Sequence, residues 1–95
     1  MTVYVLAQLK FTDRPAYERY RARFGDVFRK FEGQVLAADE SPQVLEGRWS
    51  KDKVVLLAFP DEAAARAFVD DPEYQEISKD RHAGAETVSL LVKGL

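Results

Sequence analysis

Lys53-Val54-Val55-Leu56-Leu57-Ala58-Phe59 is closed by Pro60-Asp61. The run is apolar at odd and even positions alike, so both of its faces need cover, as in a central strand. Pro60 stops it, because proline lacks the donor a ladder requires. Asp61 is a capping residue placed just before an alanine-rich stretch. That stretch, Glu62 to Asp70, reads as a helix burying Ala64, Ala67 and Phe68. Asp71-Pro72 then restarts the chain as a further helical segment, with an acidic cap and a proline in the first turn. Tyr74, Ile77, Ser78 and Arg81 share one stripe of it, and Gly84 ends it. Residues 86–93 alternate, Val88, Leu90 and Val92 against Thr87, Ser89, Leu91 and Lys93, which predicts a last strand.

Toward the N-terminus, Ser50-Lys51-Asp52 is a polar turn. Residues 43–49 read as a short strand or bulged extension, cut by Ser41-Pro42 from a second strand at 34–40. Before it, Tyr17, Tyr20, Phe24, Val27, Phe28 and Phe31 recur every three or four residues over 15–31, the stripe of an amphipathic helix. Asp13 and Pro15 mark its start, and Gly33 suits a left-handed stop. Residues 2–11 alternate, with Val3, Val5, Ala7, Leu9 and Phe11 on one face. The order is therefore β-α-β-β-α-β with an antiparallel sheet, an α+β ferredoxin-like arrangement in a single domain over 1–95. Its helices cover one sheet face only. Tyr4, Leu6, Val55 or Leu56, and Leu91 are expected on the other. A bare apolar face of that size predicts a homodimer closed sheet to sheet.

Composition narrows the function classes. The 95 residues carry a formal charge of −2, with 46% hydrophobic and 32% charged residues and no cysteine. Disulfides, thiol catalysis and cysteine zinc sites are excluded. Without a cationic surplus, nucleic acid is not the expected partner. No signal-peptide pattern opens the chain, and Val54 to Phe59 is too short to cross a bilayer, so a cytoplasmic protein without membrane contact is expected.

Several pieces form one pattern: Tyr4-Val5-Leu6-Ala7-Gln8, Pro15-Ala16-Tyr17 with Tyr20, and Val44-Leu45-Glu46-Gly47 with Trp49. Phe59-Pro60, Ala63, Ala65 and Phe68, and Asp71-Pro72 with Tyr74-Gln75 continue it. The chain resembles the domain-of-unknown-function family 1330, within the dimeric α+β barrel superfamily. The likeness runs from Thr2 to Val92, Gly94 and Leu95. Lys93 stands where members typically carry glutamate. The resemblance implies a ferredoxin-like protomer that pairs sheet to sheet, and it implies no reaction. The superfamily includes small monooxygenases, isomerases, dehalogenating or decarboxylating enzymes and haem-handling proteins, and fold alone carries none of these over.

The chemistry-bearing residues each admit two accounts. His82 is either an acid, base or ligand in a cleft between helices and sheet, or a cation at a helix C-terminus. Arg81 is either a carboxylate or phosphate clamp there, or the partner of Glu46 or a helix acid. Glu46 and Arg48 share one strand face, toward a second subunit or toward the cleft depending on the bulge near Ser41-Pro42. Tyr17, Tyr20, Trp49 and Tyr74 either line an aromatic ligand pocket, with Phe24 and Phe68, or fill the core. Asp70, Asp71 and Glu73 cluster, but capping explains Asp71, so no metal and no cofactor is expected. No complete catalytic set is present, and catalytic residues stay unassigned. The readings left are a small-molecule cleft in a homodimer, or a non-catalytic ligand-sensing or structural module.

Overall fold

A computed structural model describes residues 1–95. The elements are β1 (Val3–Phe11), α1 (Arg14–Phe28), β2 (Gln34–Asp39), β3 (Lys53–Phe59), α2 (Glu62–Val69), α3 (Pro72–Gly84) and β4 (Ala85–Lys93). The sheet order is β2-β3-β1-β4, and every neighbouring pair is antiparallel. The fold is α+β and ferredoxin-like, with the second helical region broken into α2 and α3 at Asp71-Pro72. No helix is long and apolar enough to cross a membrane.

Side-chain caps start all three helices. Asp13 accepts from the Ala16 N–H at 3.4 Å, Asp61 from Ala64 at 2.8 Å and Asp71 from Tyr74 at 2.9 Å. Each satisfies a donor that the first turn would otherwise leave open. In α2 the buried alanine is Ala65, and Ala67 is exposed. The apolar spacing of α1 outlasts its helix. After Phe28 the chain tightens, with Lys30 donating to Val27 and Phe31 to Phe28, and Phe31 still packs 5.5 Å from Phe68. Gly33 is not left-handed. It is needed for space, since a Cβ there would lie 2.5 Å from the Phe28 ring and 2.7 Å from the Phe59 ring. Gly84 has a similar role. A Cβ would strike Tyr17 and Asp13 backbone atoms, and the Gly84 carbonyl accepts from Thr12 and Asp13. The end of α3 is thereby locked against the start of α1.

Register assigns the two sheet faces. Val5 opposes Leu57 on one side and Leu91 on the other, and Ala7 opposes Val55 and Ser89. These residues sit under the helices, where Val55 and Leu91 pack on the core. The expectation that Leu91 lies on the bare face is therefore corrected. Of the pair Val55/Leu56, Leu56 faces outward. On β4 the outer stripe is Val88, Leu90 and Val92, all more than two-fifths exposed. Leu6 opposes both Leu56 and Leu90, so three leucines line up across β3, β1 and β4.

Residues 43–49 form no strand. Their alternation favours an extended chain, but no strand of the same protomer lies beside them to complete a ladder. They belong to a long loop between β2 and β3. Its far end is tied to β1, where the Asp52 N–H donates to the Leu9 carbonyl and the Asp52 carboxylate accepts from the Phe11 N–H. Gly47, at φ +84°, supplies the one left-handed residue of the chain.

Candidate functional site

The helix side of the sheet is filled unevenly. Toward Val3 and Phe59, the rings of Phe28, Phe59 and Phe68 pack with centroids 5.1–5.9 Å apart. Toward the other end the floor is built from short side chains, Ala7 and Val55 with Thr87 and Ser89 beside them. The helices span the gap without filling it. A cavity of about 280 Å³ remains, roofed by Tyr17, Tyr20 and Phe24 of α1 and by Tyr74 and Arg81 of α3. Gln75, His82 and Ser89 are exposed lining residues, so it opens between α3 and β4.

Three polar features mark the wall. The Tyr20 and Tyr74 hydroxyls lie 2.9 Å apart, both buried. Burial pushes the Tyr20 phenol far above its ordinary pKa, the Tyr74 hydroxyl adds to the rise, and Arg81 pulls weakly the other way. Tyr20 is therefore a neutral phenol across the physiological range, and either hydroxyl of the pair can be the donor. The Arg81 guanidinium lies 5.6 Å from the Tyr20 ring centroid, within reach of a cation–π attraction. Its Nε is buried without a hydrogen-bond partner, and so is the Thr87 hydroxyl. A buried N–H or hydroxyl left open costs stability.

The structure thus brings Tyr17, Tyr20, Tyr74, Arg81 and His82 to one cavity. Arg81 makes no ion pair, with Glu46 or with any helix acid, so the account that paired it is corrected. His82 sits exposed in the last turn of α3. Glu46, Arg48 and Trp49 lie elsewhere in the protomer. They line a shallow groove of about 490 Å³ with Leu45 and Val54, on the outer side of the sheet. Glu46 and Arg48 are exposed and on no strand, so neither facing expected from strand alternation applies within one protomer.

Residues outside the sequence reading also matter. Thr87 and Ser89 face the helices, and their signal was present as the polar half of the β4 alternation. Lys53 is almost fully buried, with its Nζ 4.0 Å from the Glu40 carboxylate and 5.0 Å from the Tyr17 ring. It lines a second hollow of about 390 Å³, on the β2 side of α1. Its signal was a lone cation opening an apolar strand on the inward face.

The architecture is that of a ferredoxin-like α+β protomer with a partly polar cavity between its layers. Residues 2–95 match the family described as a domain of unknown function, DUF1330, and the chain belongs to that family. Among solved structures, it resembles a protein of unknown function from Rhodopseudomonas palustris at 23% identity and TM-score 0.82, covering 99% of this chain and 82% of that one. A dimeric ferredoxin-like protein of unknown function from Jannaschia sp. CCS1 matches at 17% identity and TM-score 0.75, over 99% and 100%. SnoaB from Streptomyces nogalater, described as a cofactor-independent oxygenase, matches at 16% identity and TM-score 0.69, over 99% and 93%. At these identities the likeness shows fold alone. No curated protein matches the chain.

Proposed function

We propose that the protein is a cytoplasmic homodimer that joins the outer faces of two sheets and binds a small molecule between the helices and sheet of each protomer. The observation that carries the binding half is the cavity itself. It is a space between the layers, open between α3 and β4, with an apolar body and a few polar groups at its wall, the usual make-up of a ligand site. The dimer half is supported by the Leu56–Leu6–Leu90 row with Val88 and Val92, an apolar patch with no cover in the protomer. The 43–49 segment supports it too. Val44 and Leu45 are exposed, Leu45 almost completely, as in a segment that packs on a second subunit. The Jannaschia protein of similar fold is described as dimeric. The cytoplasmic placement rests on composition.

A non-catalytic sensor or structural module is the second reading. It is favoured by the wall chemistry, since no nucleophile sits beside a base held by a third group. SnoaB, described as a cofactor-independent oxygenase, keeps the catalytic reading open for this fold.

A thermal-shift screen of small organic compounds tests the binding half, run on the wild type and on Ala7→Leu, which grows a side chain from the cavity floor. Ligands that bind only the native state raise stability, by about 2.7 kcal/mol at one hundred times their Kd. Compounds that stabilise the wild type and lose their effect in Ala7→Leu support the reading. Compounds that shift both proteins equally bind elsewhere and count against it, as does a screen without hits.

A further inference from the structure

Arg81 is the only arginine of this chain that is not exposed. It has no acidic partner, whereas surface Arg14, Arg19, Arg21 and Arg29 each have one. A cation taken partly out of water is normally paired. No aspartate or glutamate lines the cavity that it borders. Its guanidinium lies 5.6 Å from the Tyr20 ring centroid, and no carboxylate meets its N–H edge. The Nε of that edge is buried and unsatisfied, and so is the Thr87 hydroxyl on the floor. Two unpartnered polar groups, one of them cationic, border one mostly apolar space.

On the reading that this cavity binds a small molecule, we propose that its ligand is a monocarboxylate. The carboxylate accepts from the N–H edge of Arg81 and from the Thr87 hydroxyl, and an apolar body lies among Phe24, Leu57 and Phe68. A guanidinium edge presents parallel N–H groups that match two carboxylate oxygens. One cation suits one negative charge and not a phosphate dianion. Size points the same way. A dry cavity of about 150 Å³ takes a benzene ring, so about 280 Å³ takes one ring with a short acid-bearing arm.

Phenylacetate, its neutral isostere phenylacetamide and inorganic phosphate are the probes. Each is titrated at millimolar concentration into ¹⁵N-labelled protein. The backbone amides and the Arg81 Nε–H signal, assigned with Arg81→Lys, are followed together. The expected result is that phenylacetate moves the Arg81 signal together with the amides of Ala7 and Thr87. Phenylacetamide is expected to bind about tenfold more weakly, and so is phenylacetate to Arg81→Met or Thr87→Val, the loss of one charge-assisted hydrogen bond. Thr87→Val is nearly isosteric and keeps the test usable if Arg81→Met does not fold. The inference is overturned if acid and amide bind equally, if both variants keep full affinity, or if phosphate moves the Arg81 signal as far as the acid does. In those cases cavity amides still respond to the aromatic probes, and the small-molecule reading stands. If no cavity amide moves with either aromatic probe, this inference also fails, and the thermal-shift screen alone decides whether the cavity reading fails with it.

Discussion

Replacing Tyr74 with Phe removes one oxygen from the roof of the cavity and strands another. The Tyr20 hydroxyl lies 2.9 Å from that of Tyr74 and has no other partner. Both residues are less than a tenth exposed. A buried hydroxyl left without a partner costs about 1–3 kcal/mol. The cavity beside this pair has room for a water that recovers part of the loss, so about 1–2 kcal/mol is expected for Tyr74→Phe and for Tyr20→Phe alike. In a domain of this length that lowers Tm by roughly 4–16 °C. The double variant leaves nothing stranded and should lose only one net hydrogen bond, about 0.5–1.5 kcal/mol. The two changes are then non-additive, with a coupling of about 0.5–3.5 kcal/mol. Urea unfolding of the four proteins measures this, at one fixed concentration so that any association contributes equally. Additive losses, or single variants as stable as the wild type, would falsify the hydroxyl pair and with it this description of the cavity wall.

Three further outcomes are expected. Asp71→Ala should cost about 0.5–2 kcal/mol by opening the Tyr74 N–H at the start of α3; an unchanged unfolding midpoint would speak against the cap. The folded-state pKa of Tyr20 lies above its unfolded value. Its stabilising effect is therefore complete below about pH 10 and is lost as pH rises beyond it, at about 1.4 kcal/mol per pH unit. Tyr20→Phe should flatten the alkaline limb of a stability profile by one proton, and two parallel limbs would refute the assignment. Leu90→Asp should abolish the dimer in analytical ultracentrifugation, because a two-fold interface buries the new carboxylate twice; a wild type already monomeric at micromolar concentration would remove the dimer reading altogether.

Element order was legible because each element carries a local signal. Strands 2–11 and 53–59 announce themselves by alternation and by an unbroken apolar run. Asp13, Asp61 and Asp71 mark helix starts within a residue or two, since a cap needs only its own first turn. Helix ends were harder. Phe31 keeps the spacing of α1 without being helical, because a tight turn holds its ring on Phe68 almost as well as a further helical turn would. The 43–49 segment failed for the opposite reason. Its alternation is real, but a strand exists only beside another strand, and the protomer offers none there. Glu46, Arg48 and Trp49, named beside the tyrosines as candidates, lie on the other side of the sheet.

The β4 strand shows why the site was only half visible. A strand with Val88, Leu90 and Val92 on one face and Thr87 and Ser89 on the other would ordinarily turn the apolar row toward the helices, and that expectation placed Leu91 outside. Pairing with β1 fixes the reverse, since Ala7 opposes Ser89 and Leu6 opposes Leu90, and a slip of one residue would invert every side chain. The inversion makes sense only if both faces have something to meet. Turned inward, Val88 and Leu90 would fill the space under Tyr20 and put Thr87 and Ser89 beside Leu6 on the outer face, removing the cavity and breaking the apolar row. Turned outward, they extend the Leu6 and Leu56 row into a face that water covers poorly, while Thr87 and Ser89 keep the cavity open and partly polar. One choice of register thus sets both the cavity floor and the apolar outer face. A Leu90→Thr, Ser89→Val exchange, which restores the ordinary polarity of the strand, should weaken the dimer and close the cavity together. A protein that lost one and kept the other would show that the two are independent.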